Sequence, residues 1–115
     1  METISNSVLT VGVSEHGAEL QSIQKNGKEY LWQGDTRFWG RRSPVLFPIV
    51  GRVWEDTYRY AGNSYRMGQH GFARDMEFTL VSEKDDEVRY RLVSNEETLQ
   101  KYPFPFCLEI GYRIQ

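Results

Sequence analysis

The sequence predicts an all-β chain folded as an antiparallel β-sandwich, and three observations predict it. Aromatic residues make up 14% of the chain, and large planar side chains favour pleated, half-buried faces. Roughly eight or nine short stretches alternate apolar and polar residues at a period near two, the spacing of strands and not of helices. Tight-turn signals separate several of them, Asn26-Gly27 being the strongest, because both positions tolerate a positive φ.

Taken in order, Leu9, Val11 and Val13 alternate with Val8, Thr10 and Gly12 and read as the first strand. Ser14-Glu15-His16-Gly17 breaks the pattern, and His16 reads as a turn residue. Residues 18–25 and 28–32 flank Asn26-Gly27 as a hairpin. Residues 36–42 are irregular and aromatic. Pro44 and Pro48 bracket Val45-Leu46-Phe47, and since proline donates no backbone hydrogen bond, this stretch reads as a bent, buried extended segment outside any central strand. Tyr58-Arg59-Tyr60 and Tyr65-Arg66-Met67 read as a second hairpin across Gly62-Asn63.

Residues 76–81 and 88–93 read as two further strands joined by Lys84-Asp85-Asp86. Ser94-Asn95-Glu96-Glu97 fits a capping box, with Ser94 as N-cap, opening a short helical turn to about Gln100. Tyr102-Pro103-Phe104-Pro105 stops it, because a residue before proline is driven to extended geometry. The last strand places Phe106, Leu108, Ile110, Tyr112 and Ile114 on one face.

At 115 residues the chain has the size of one small domain, residues 1–115. The net charge of −2, without a basic block, gives no footprint for nucleic acid. No apolar run approaches the ~20 residues of a membrane span, and the N-terminus has no signal-peptide pattern. The single Cys107 allows no intrachain disulfide and points to a reducing, cytoplasmic setting. Its mid-strand position reads as a packed thiol. Two distant histidines and one cysteine give no zinc spacing, and neither a phosphate loop nor a nucleophile elbow occurs.

Candidate chemistry gathers between Ser43 and Asp75. His70, between two glycines on a loop, is a candidate acid, base or hydrogen-bond donor; the alternative is a structural histidine satisfied by its own loop. The guanidinium of Arg52, after an apolar run and a glycine, suits vicinal hydroxyls or a carboxylate, unless Glu55 or Asp56 takes it. Arg74 and Asp75 read first as a structural pair that pins the His70 loop. Of Trp32, Trp39 and Trp54, one is expected to offer a flat face to a sugar ring.

Tyr30-Leu31-Trp32-Gln33-Gly34, the run from Pro44 to Arg52, and Gln69-His70-Gly71-Phe72-Ala73-Arg74-Asp75 occur in the order seen in aldose 1-epimerases, the galactose mutarotase-like proteins. The chain most resembles their LacX-like bacterial branch, to which Glu96-Glu97-Thr98 and Tyr102-Pro103-Phe104 are also similar. The resemblance implies the N-terminal portion of a β-supersandwich that binds a hexose and exchanges its α and β anomers without a cofactor. One general base and one general acid on opposite sides of the sugar suffice for that exchange. It further implies that Arg52 and His70 hold the sugar, with His70 catalytic; Trp54 and Arg74 are further candidate substrate-binding residues. The family's second histidine, its aspartate and its glutamate base lie beyond the positions matched here. The chain is therefore expected to be the N-terminal part of a longer protein, inactive alone, and prone to self-associate through open sheet edges and the Phe106–Ile114 face. The alternative is a non-catalytic carbohydrate-binding or regulatory β-sandwich.

Overall fold

Period-two patterning over most of the chain produces nine strands, one short helix and two 3₁₀ turns in the computed structural model, which describes residues 1–115. β1 (Glu2–Ser5), β2 (Thr10–Val13), β3 (Leu20–Lys25) and β4 (Lys28–Glu29) form an antiparallel sheet in chain order. β5 (Thr57–Tyr60) and β6 (Asn63–Arg66) form a separate hairpin. β7 (Thr79–Glu83), β8 (Glu87–Val93) and β9 (Cys107–Arg113) form a third sheet, with α1 (Glu96–Lys101) in the connection from β8 to β9. No helix is long and apolar enough to cross a membrane.

The first and third sheets share one core. Ile4, Val11 and Val13 meet Val88, Tyr90, Leu92 and Ile114, with Ala18, Ala73 and Phe78 filling in. β8 shows the alternation most cleanly: Val88, Tyr90 and Leu92 are buried while Arg89 and Arg91 face out. Two tyrosine hydroxyls tie the layers, Tyr112 donating to the Ala18 carbonyl at 2.7 Å and Tyr90 to that of Val13 at 3.4 Å. Burial pushes both phenols above their ordinary range of titration. The molecule is a slab of 54 × 34 × 18 Å with a radius of gyration of 16.3 Å, against the ~13 Å of a compact chain near this length. Only 16 of its 115 residues are buried, so the shared core is a thin strip.

The Asn26-Gly27 hairpin forms as expected, both residues having positive φ. Elsewhere local hydrogen bonds shift the expected boundaries. β1 went unforeseen because its one apolar residue, Ile4, stands among polar neighbours, yet it is buried opposite Val11. β2 begins at Thr10, since the Asn6 side chain accepts from the amides of Val8 and Leu9 and holds them in a turn. β4 ends at Glu29, whose carboxylate accepts from the amides of Ile23, Tyr30 and Leu31 and draws the chain off the ladder.

The second hairpin turns at Ala61-Gly62 and not at Gly62-Asn63, with φ of 49° and 82°, while Tyr58 still faces Tyr65. β7 begins at Thr79 because Met76 is used by two other contacts, its amide closing the 73–75 turn and its carbonyl accepting from Gly17. The cap of α1 is Asn95, not Ser94, and its partner in the capping box is Thr98. Cys107 is exposed and not packed, because it lies on the outward face of the edge strand β9. The opposite face, expected to be uncovered, packs against the shared core through Phe106, Leu108, Ile110 and Tyr112, with Ile114 inside it.

Candidate functional site

The prolines keep residues 44–48 out of every sheet, so Phe47 makes a single parallel bridge to Gly71. Its carbonyl accepts from two successive amides, Phe72 at 3.0 Å and Ala73 at 3.2 Å. Its ring packs 5.0 Å from Phe106, 6.0 Å from Tyr102 and 6.2 Å from Phe72. The Phe47–Pro48 peptide is cis. One residue thus anchors the apolar run to the His-Gly loop and to the approach of β9.

His70 and Gly71 are consecutive left-handed residues, with φ of 63° and 77°. Glycine adopts that region freely, whereas histidine is strained there by roughly 1–2 kcal/mol. A double link to Gly51 offsets the strain. The His70 amide donates to the Gly51 carbonyl at 2.7 Å, and the Gly51 amide donates to His70 Nδ1 at 2.8 Å. His70 is half-buried and Gly51 has φ 86°, which suits glycine.

Arg52 follows directly and is exposed. Its Nε lies 2.8 Å from Asp56 Oδ1, an ion pair whose geometry is not that of a directed hydrogen bond. Asp56 is thereby the carboxylate that engages Arg52, with Glu55 left aside. Trp54, on the same loop, is 85% exposed, and with Arg52 it borders one shallow depression. Glu55 and Asp56 both have φ 55°, so the loop turns sharply between the tryptophan and the hairpin.

Arg74 sits apart from these three. It donates through Nη2 to the Gln69 carbonyl at 3.0 Å and so braces the His70 loop without Asp75, while its Nε is buried without a partner. The expected Arg74–Asp75 pair does not form, because Asp75 turns to Arg41 at 3.0 Å. The structure therefore brings His70, Arg52 and Trp54 to adjoining loops and uses Arg74 as a strut. His16 lies elsewhere, in its turn, with Nδ1 2.6 Å from Glu77.

Sequence reasoning missed Gly51 as the partner of His70. It also missed a second cleft, behind the His70 loop, between the β5–β6 hairpin and α1, bordered by Asp56, Arg66, Met67, Phe72, Glu97 and Lys101. No group of three or more metal-ligating side chains comes together.

The family model described as aldose 1-epimerase matches residues 2–115. This chain belongs to the aldose 1-epimerase family. Protein LacX, chromosomal, of Lactococcus lactis subsp. lactis is 37% identical over 117 residues, covering 96% of this chain and 39% of LacX. Among solved structures, a galactose mutarotase related enzyme from Lactobacillus acidophilus is 42% identical with a TM-score of 0.98, over 99% of this chain and 39% of its own. A galactose mutarotase-like protein from Lactobacillus casei is 43% identical with a TM-score of 0.96, over 100% of this chain and 40% of its own. The chain thus spans 39–40% of the length of these aldose 1-epimerase relatives, and its antiparallel sheets match the N-terminal β-sandwich portion of their fold.

Proposed function

We propose that this chain forms one wall of a hexose-binding site, and that a longer protein containing it interconverts the α and β anomers of an aldohexose. The observation that carries this reading is the double link between Gly51 and His70, which joins the half-buried imidazole to the residue preceding the exposed Arg52. A guanidinium and an imidazole offer several donors to neighbouring sugar oxygens. Trp54 borders the same depression as Arg52 and supplies a flat apolar face to the ring. Arg74 contributes by fixing the His70 loop from behind, so its effect on the sugar is indirect.

Anomer exchange needs a base at the anomeric hydroxyl and an acid at the ring oxygen. Asp56 is engaged by Arg52 and Asp75 by Arg41, and the unpaired Glu55 borders the same depression as Arg52 and Trp54, not an opposite wall. The lack of an opposed base favours binding without turnover by this chain alone, which is also what a non-catalytic carbohydrate-binding relative would show. Self-association through the free edges of β7 and β9 belongs to the same reading. It makes the sedimentation mass rise with concentration, and a constant monomer mass removes it.

The test is a titration of isotope-labelled chain with galactose and with glucose. The amides of Gly51, Arg52 and His70 shift together, Arg52→Ala and His70→Ala each weaken binding about tenfold, and polarimetry shows anomer exchange at the spontaneous rate. Absence of any sugar-dependent shift at these amides overturns the binding reading, and rapid exchange with this chain alone overturns its inactivity.

A further inference from the structure

We propose that Gly51 is a positioning residue that fixes the tautomer of His70, so that the imidazole presents Nε2–H to its ligand and keeps that proton. The inference takes its ligand from the sugar-binding reading above, but its geometry stands independently. A backbone amide can only donate. The Gly51 N–H, 2.8 Å from Nδ1, therefore requires Nδ1 to carry a lone pair. In a neutral ring the proton must then sit on Nε2.

The same contact excludes the other tautomer, because a hydrogen on Nδ1 would point at the Gly51 hydrogen. The loop cannot slip to relieve the clash, because the His70 amide is itself held by the Gly51 carbonyl at 2.7 Å. Gly71 is pinned next to it by the Phe47 bridge. Turning the ring over would leave the Gly51 amide facing a carbon.

The consequence for chemistry is specific. A neutral Nε2–H imidazole is a good hydrogen-bond donor but a very poor proton donor, since losing the proton would leave an imidazolate. It can polarise an oxygen without transferring anything to it. His70 then serves a sugar oxygen by holding and polarising it, and the two proton transfers of anomer exchange fall to other groups. This separates His70 from the general-acid role that a loop histidine suggests on sequence alone.

The experiment is nitrogen NMR of the chain labelled with ¹⁵N, recorded near neutral pH without sugar. Nδ1 of His70 is expected at the resonance position of an unprotonated nitrogen and Nε2 at that of a protonated one. A through-hydrogen-bond coupling is expected between Nδ1 and the Gly51 amide nitrogen. A protonated Nδ1, in either the neutral or the charged ring, overturns the proposal.

Two variants add a ligand-dependent readout. His70→Asn keeps an acceptor near Nδ1 but offers nothing at Nε2, whereas His70→Gln places a donor near Nε2. Galactose affinity is expected to fall about tenfold in His70→Asn and by a smaller factor in His70→Gln, which restores the donor but not the Gly51 link. The reverse order overturns the donor assignment. Failure of the unaltered chain to bind sugar at all sinks the proposed function, while leaving the tautomer result to be read on its own.

Discussion

Gly71 lies so close to Phe47 that a methyl group on its α-carbon would overlap the Phe47 carbonyl. The contact is main chain against main chain, so neither partner can swing aside as a long side chain would. Gly71→Ala adds this overlap to the strain of a non-glycine residue at φ 77°. The variant is expected to lose roughly 2–4 kcal/mol in urea unfolding, against about 1 kcal/mol for Gly27→Ala, where φ is also 77° but nothing lies within 4 Å. Equal midpoints for the two would show that the Phe47 carbonyl can move away at little cost.

Ala61 gives the opposite case. It has φ 49° at the first position of a two-residue hairpin turn, a region that asparagine tolerates better than alanine. Ala61→Asn creates an Asn-Gly turn and is expected to stabilise the chain by roughly 0.5–1 kcal/mol. Thermal unfolding at equal or lower temperature than the parent would count against the assigned turn.

Tyr90 separates packing from hydrogen bonding. Its side chain is completely buried in the strip shared by the two sheets, but its hydroxyl reaches the Val13 carbonyl at only 3.4 Å. Tyr90→Phe is expected to cost less than about 1 kcal/mol, and Tyr90→Ala about 3–5 kcal/mol, because only the second opens a cavity. Denaturant titration of the pair checks the ratio.

Glu29 sets an acid limit. The Ser22 hydroxyl, followed by the amides of Ile23 and Leu31, holds its carboxyl at about 2 instead of the usual 4.5. A carboxylate depressed by folding stabilises fully above its unfolded value, and that stability drains away as pH falls from about 4.5 towards 2. Glu29→Gln should therefore lower stability near neutrality and flatten the profile across that window. Parallel pH curves for the two proteins would show that the Glu29 cluster does not form in solution.

Trp54 is 85% exposed, so Trp54→Ala should leave the unfolding midpoint within about 0.5 kcal/mol of the parent. The same change should weaken galactose binding several-fold. An unaltered affinity would remove Trp54 from the sugar wall without touching Arg52 or His70.

What could be read from sequence follows from how far each feature reaches along the chain. The alternation of β8, the Asn26-Gly27 turn and the exclusion of residues 44–48 from the sheets depend on the residues that occupy those places. The ends of β2, β4 and β7 do not, because side chains or carbonyls from outside the apolar pattern decide them. At the site, residue types singled out His70, Arg52 and Trp54. Their arrangement depends on main-chain contacts, and a glycine amide 19 positions from its imidazole partner has no distinguishing letter in the sequence. Asp75 likewise went to Arg41, 34 positions away, in preference to the arginine beside it.

The apolar run and the His-Gly loop are hydrogen-bonded through peptide groups and one imidazole nitrogen, namely the Phe47 carbonyl, both halves of the Gly51 link, and the amides of His70, Phe72 and Ala73, with the Phe47 and Phe72 rings packed beside them. Neither Arg52 nor Trp54 takes part in those contacts. Arg52 and Trp54 can therefore be exchanged for other residues without moving the frame they stand on. Such a frame is suited to retuning which sugar hydroxyls are read, because specificity and framework are written in different atoms.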